Sequence, residues 1–160
     1  MTTTYSARAA AALAGITLRQ LQWWDERGIV VAGVASKNHR VYSPEAVTLL
    51  RVVAELRRKR CPFEDIRRVI QYLKHELAPA LEEAGRASLY LLFDGWHAWL
   101  ENDPVAMFRR AVTIKSGGFY VVEIEPPEAA PHDAASSACF VVGETQGENT
   151  HADRPQTRTA

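Results

Sequence analysis

Apolar positions recur along this chain with two different periods, and the change of period divides it. Residues 7–14 carry small apolar residues at helical spacing, and Ala14-Gly15-Ile16 ends that run at a residue that takes positive φ without strain. Thr17-Leu18-Arg19-Gln20 has the T-x-x-Q form of a capping box. There the Thr hydroxyl accepts the Gln20 amide and the Gln side chain reaches back. The second helix is predicted to run to about Arg27, with Gly28 in the C′ position. Two helices across a tight Gly-containing turn make a helix-turn-helix candidate. Ile29 to Val34 are apolar and rich in β-branched residues, residues 35–40 form a polar, basic turn, and Val41-Tyr42 is extended again. This predicts a small β-hairpin, or wing.

Ser43-Pro44-Glu45 is a helix start, with Ser as N-cap, Pro at the first helical position and an acid in the first turn. The third helix is predicted over about 44–59, with Val47, Leu50, Val53, Ala54 and Leu56 as its apolar stripe. After Arg60-Cys61-Pro62 a fourth helix is predicted from Phe63 to about Leu77. Phe63, Ile66, Val69, Ile70 and Leu73 lie on its inner face, and Pro79 ends or kinks it.

Beyond this the period changes. Residues 88–93 read as a strand, Asp94-Gly95 as a hairpin turn and residues 96–100 as the returning strand. Asp103-Pro104 starts a further helix, Gly117-Gly118 breaks the chain, and residues 119–124 form a third strand candidate. After Pro126-Pro127 the residues are mostly Ala, Ser, Thr, Gly, Glu and His, and only Cys139-Phe140-Val141-Val142 is apolar. That composition predicts a disordered tail. The fold class expected is a mainly α winged helix-turn-helix head (1–77), a small α/β unit (78–126) and a disordered C-terminal tail (127–160).

Composition adds one asymmetry. The net charge is zero, yet residues 1–77 hold thirteen Lys or Arg against seven Asp or Glu, and the remainder holds six against twelve. A basic front half suits a nucleic-acid-binding head. No apolar run reaches the roughly 18–20 residues that a membrane span requires. The weakly apolar stretch 7–14 contains Arg8 and continues into a helical pattern, so it does not read as a signal peptide. Cytoplasmic localisation is therefore expected. Cys61 and Cys139 belong to no paired Cys/His cluster, so no metal site is expected. No nucleophile elbow or P-loop is present, and Asp94-Gly95 is explained by turn chemistry rather than by a triad with Ser88 and His97. No enzyme activity, catalytic residue or cofactor is expected.

The ordered set Tyr5, Ala11, Gly15-Ile16-Thr17, Leu21, Trp23-Trp24, Asp25-Glu26-Arg27-Gly28-Ile29, Arg40-Val41-Tyr42-Ser43, and Leu56-Arg57-Arg58 through Glu64-Asp65-Ile66 resembles the DNA-binding head of the MerR family of bacterial transcription regulators. The likeness covers about residues 5–76. It implies a winged helix-turn-helix that binds double-stranded DNA as a homodimer, and activators of this type distort a promoter engaged by RNA polymerase. The chain departs from the family in four places. Gln22 stands where the family usually has Arg, two tryptophans replace the usual tyrosines, and Arg60 stands where Gly is frequent. Pro79 leaves little room for the family's long dimerisation helix, so the pairing surface is expected in the back half, whose unit over 78–126 is read as a dimerisation or a partner/effector domain.

The DNA-binding residues expected are Thr17, Arg19, Gln20, Trp23, Lys37, Asn38, His39, Arg40, Tyr42, Arg57 and Arg58. Arg19 lies in the first turn of the second helix, where side chains reach base edges, and Arg can bond guanine in bidentate fashion. Gln20 can read adenine, though capping competes for it. Adjacent helical residues point about 100° apart, so Trp24 is assigned to the core and Trp23 to the DNA side. Lys37, Asn38, His39 and Arg40 suit phosphate or minor-groove contact, and Tyr42 suits either a phosphate bond or packing under the hairpin. Arg57 and Arg58 complement the dipole at a helix C-terminus and are placed to reach phosphate. The function expected is a sequence-specific transcriptional regulator. The alternatives are an accessory or architectural DNA-binding protein (excisionase-like or nucleoid-associated) and a protein-interaction module with a degenerate head.

Overall fold

The computed structural model describes residues 3–35, 39–114 and 118–125. Lys37, Asn38, Gly117 and the expected tail over 127–160 lie outside the described residues.

The head opens with a short strand, β1 (Tyr5–Ser6), followed by α1 (Ala7–Ala14) and α2 (Leu18–Glu26). Both turns that end these helices use a glycine in the left-handed region, Gly15 at φ 66° and Gly28 at φ 66°. In each case the following amide reaches back five residues, Ile16 N to Ala11 O and Ile29 N to Trp24 O, so the last carbonyls are satisfied. The capping box forms as expected. Gln20 N donates to Thr17 Oγ1 at 3.2 Å, and Thr17 N donates to Gln20 Oε1 at 2.9 Å. The hairpin is β2 (Gly33–Ala35) and β3 (His39–Tyr42), and β1 pairs with the other edge of β3, giving the antiparallel order β1-β3-β2. The β1 contribution was not expected from the sequence, because two residues carry no alternation to detect.

Helix α3 (Pro44–Arg58) starts at the Ser43 cap, whose side chain accepts the Ala46 amide. Its C-terminal turn places Arg60 at φ 60°, with Cys61 N bonded to Leu56 O at 2.9 Å. This is the same reversal that Gly15 and Gly28 make, here imposed on a residue with a Cβ.

Helix α4 (Phe63–Ala84) corrects the expectation that the fourth helix stops near Leu77. Pro79 lies inside it. An interior proline removes one backbone bond and crowds the preceding turn, at a cost of about 3 kcal/mol. The packing of this turn offsets that cost: Leu77 is buried, and Ala80, Leu81 and Ala84 pack against the core. Gly85, at φ 62°, then turns the chain into the second sheet.

That sheet comprises β4 (Leu89–Phe93), β5 (Ala98–Glu101) and β6 (Tyr120–Ile124), all antiparallel in the order β5-β4-β6, with Leu91 opposite both Leu100 and Val122. The returning strand begins two residues later than expected. Asp94 accepts the amides of Trp96 at 2.8 Å and His97 at 2.7 Å, which holds both in the turn. Burial raises the Asp94 pKa, but those two N–H bonds together with the His97 side chain outweigh it and hold the carboxyl below its ordinary range. Leu89, Leu91, Phe93, Val122 and Ile124 join the buried cluster that runs through α1, α3 and α4. Alternation puts Leu92 on the opposite face, which α5 (Pro104–Thr113) covers. The helix-turn-helix head and the small α/β arrangement are thus both present.

Candidate nucleic-acid interface

Helix α2 sorts its residues by its own period. Leu21 and Trp24 are buried, while Arg19, Gln20 and Trp23 are exposed. Trp23 stays 40% exposed against 4% for Trp24, the division expected between the two adjacent tryptophans. Beside the exposed face lies a surface cleft of about 670 Å³. Six of the eleven residues singled out from sequence line it together: Thr17, Arg19, Gln20, Trp23, Arg57 and Arg58. The first four come from α2 and its cap, and the two others arrive from the last turn of α3.

These side chains are not equally free. Gln20 spends its carbonyl oxygen on the cap, leaving its amide NH2 as a donor. Arg57 donates to the Cys61 carbonyl at 3.3 Å, closing the end of α3. Arg58 pairs with Glu55 at 2.6 Å while remaining 72% exposed. Arg19 has no carboxylate partner among the described residues, so its full set of donors is available. Gln22, at the position where the family usually has arginine, donates to Glu26 at 2.8 Å.

The hairpin is held to α2 by one residue. Asp25 lies in the last turn of α2, and its carboxylate receives Arg40 at 2.6 Å and the amide of Ala32 at 3.0 Å. Its side chain is 10% exposed and that of Arg40 is 49% exposed. Arg40 therefore anchors the hairpin with one nitrogen and offers the rest of its fork outward. His39 is exposed beside it. Tyr42 is buried to 1% and packs beneath the hairpin, the second of the two roles suited to it. Burial raises the Tyr42 pKa, Asp25 adds to the rise, and Arg40 partly opposes it.

Three features of the interface were missed from sequence. One is the Asp25 latch, because an ion pair spanning fifteen positions leaves no periodic trace. The second is an edge-to-face contact between Trp23 and Phe63, with ring centroids 4.9 Å apart. The third is a pair of arginines stacked on those rings: Arg27 sits 4.4 Å from the Trp23 centroid and Arg67 sits 5.9 Å from that of Phe63. Beneath the α3–α4 turn, the Cys61 thiol is fully buried. Burial and Asp65 push its pKa up to about 11 against the opposing charge of Arg57, so it is inert as a nucleophile.

Among the described residues no cluster of three His, Cys, Asp or Glu could hold a metal ion, and no helix is long and apolar enough to cross a membrane. No curated protein matches the chain. Residues 5–73 match the MerR HTH family of regulatory proteins. The match begins at β1 and ends within α4, so it encloses the capped α2, the hairpin latched by Asp25 and the cleft between α2 and α3. The N-terminal part of this chain is a MerR-family helix-turn-helix head.

Proposed function

We propose that the protein is a sequence-specific, double-stranded-DNA-binding transcriptional regulator that acts in the cytoplasm as a homodimer at promoters engaged by RNA polymerase. One observation carries the reading. The α2–α3 cleft gathers an unpaired Arg19 in the first turn of a capped helix with Trp23, Arg57 and Arg58 around it. A helix of this kind enters the major groove by its N-terminal turn, while flanking cations bind phosphates. In this reading Arg19 reads base edges, and Arg40 and His39 follow the backbone from the hairpin. The role is regulatory rather than catalytic. Lys37 and Asn38 are assigned to DNA contact in the same reading.

The exposed stripe Val105, Phe108 and Val112 on α5 supports pairing with a second copy, since these residues recur at helical spacing and remain more than half exposed. A two-fold protein then matches a pseudo-palindromic site. If the dimer neutralises about eight phosphates, log K falls with log salt at a slope near −7.

Gel-shift with fragments of the source genome, followed by footprinting of those retained, tests the proposal. Salt-sensitive retention of a restricted set, with protection overlapping promoters, is expected. Protection at recombination sites or spread over many sequences would favour an accessory or architectural role, and no retention of any duplex would contradict DNA binding altogether.

A further inference from the structure

We propose that α2 and α4 carry a second phosphate-binding strip, formed by Arg27, Arg67 and Lys74, which grips the DNA backbone alongside the α2–α3 cleft. The inference rests on the DNA-binding reading and adds three cations that lie outside the α2–α3 cleft and the hairpin.

The strip follows from two helical stripes. Arg19, Trp23 and Arg27 are spaced four apart along α2 and its C-cap, so they share one face. Phe63, Arg67 and Lys74 share a face of α4 by the same periodicity. The Trp23–Phe63 contact joins the two stripes edge to face. Trp23 therefore belongs to both surfaces: it lines the α2–α3 cleft with Arg19, and it carries Arg27 on its ring. A separate surface cleft of about 360 Å³ is lined by Arg27, Arg67 and Lys74, with Glu64 also at its wall.

Glu64 shares the wall of this cleft, but among the described residues it forms no ion pair with the three cations. Several other arginines of the fold are engaged by carboxylates: Arg40 by Asp25, Arg58 by Glu55 and Arg110 by Glu101. Arg68, the neighbour of Arg67, pairs with Asp65 and donates to the carbonyl of Gly95 at 3.0 Å. Arg27, Arg67 and Lys74 have no carboxylate within ion-pair distance among the described residues. Three cations held near one another repel, and their side chains are free to turn away into solvent. Instead, two of them lie on aromatic rings, which fixes their direction and reduces the entropy lost when they bind. Two guanidinium groups fixed on rings, with the Lys74 ammonium on the same cleft, suit a row of phosphates. The continuity of the strip with the Arg19 cleft favours the backbone of the same duplex over a separate ligand.

Salt titration tests the strip. Binding of the full chain to a retained duplex is followed by fluorescence anisotropy across a range of KCl concentrations, for wild type and for Arg27→Gln, Arg67→Gln and Lys74→Gln. Each substitution is expected to reduce the magnitude of the log K against log salt slope by about 0.9 for every phosphate the side chain no longer neutralises. Affinity for the specific and a scrambled duplex should fall by the same factor, because phosphates carry no sequence. Arg67→Lys, which keeps the charge, should keep the slope. If the wild-type slope persists in all three Gln variants, the strip is overturned while DNA binding stands; if wild type retains no duplex, both fall. Should the arginine variants fail to fold, Lys74→Gln decides the matter. Lys74 stacks on no ring among the described residues, and an unchanged slope there overturns the proposal.

Discussion

Helices α3 and α5 begin with the same local chemistry and end in opposite surroundings. Ser43 caps one and Asp103 the other, and each has a proline in its first turn. Eight of the fifteen residues of α3 are buried, whereas none of the ten residues of α5 is. Both are amphipathic. The difference lies in what stands opposite: among the described residues α3 is enclosed by α1, β3, α4 and β6, while α5 rests mainly against β4 and β5. Capping and periodicity therefore determine that a helix forms, and the number of partners determines how much of it holds the fold together. Stability should be concentrated around α3 and thin around α5.

The largest effect expected from this contrast is at Leu50, which is fully buried in α3. Leu50→Ala should cost about 2–5 kcal/mol, read as a lowered urea midpoint, because the space left cannot collapse. A loss below about 1 kcal/mol would mean that α3 is not the centre of the core. The next effect has the opposite sign. Arg60 closes α3 at φ 60°, and a left-handed residue with a Cβ carries strain of about 1 kcal/mol. Arg60→Gly should raise the midpoint by roughly that amount, and any destabilisation would show that the Arg60 side chain itself is needed. A smaller, local effect is expected at Asp103, whose carboxylate accepts the amides of Val105 and Ala106. Asp103→Ala should weaken α5 by about 1 kcal/mol, seen as faster amide exchange confined to that helix. The smallest is Phe108→Ala. Phe108 is 66% exposed, so the change should stay within about 0.5 kcal/mol at low protein concentration. A larger loss that grows with concentration would show Phe108 covered by a second protomer.

The contrast also marks what could be read from the chain. Helices α1, α2 and α3, their caps and the glycine turns were legible because each depends on residues within four positions of one another. The division of Trp23 from Trp24 was legible for the same reason. Helix α4 was cut short because Pro79 is a strong local signal, and the packing of Leu77 and Leu81 that overrides it is tertiary. Trp96 was placed in a strand because Asp94 was read as a two-residue turn, without its second amide bond to His97. At the candidate site, the exposed face of α2 was legible through its place in a capped helix, and the basic end of α3 through the clustering of Arg57 and Arg58. The Asp25–Arg40 latch and the Trp23–Phe63 junction were not, since they join elements far apart in sequence and depend on how the helices dock.

The central claim is that Arg19, at the start of α2, reads DNA sequence. The most direct measurement is the ratio of affinities for a selected duplex and a scrambled one, at fixed salt, for wild type and Arg19→Ala. The ratio should collapse toward one in Arg19→Ala while binding to the scrambled duplex is largely kept, a loss of about 1–3 kcal/mol of discrimination. An Arg19→Ala protein that keeps the wild-type ratio would contradict the account.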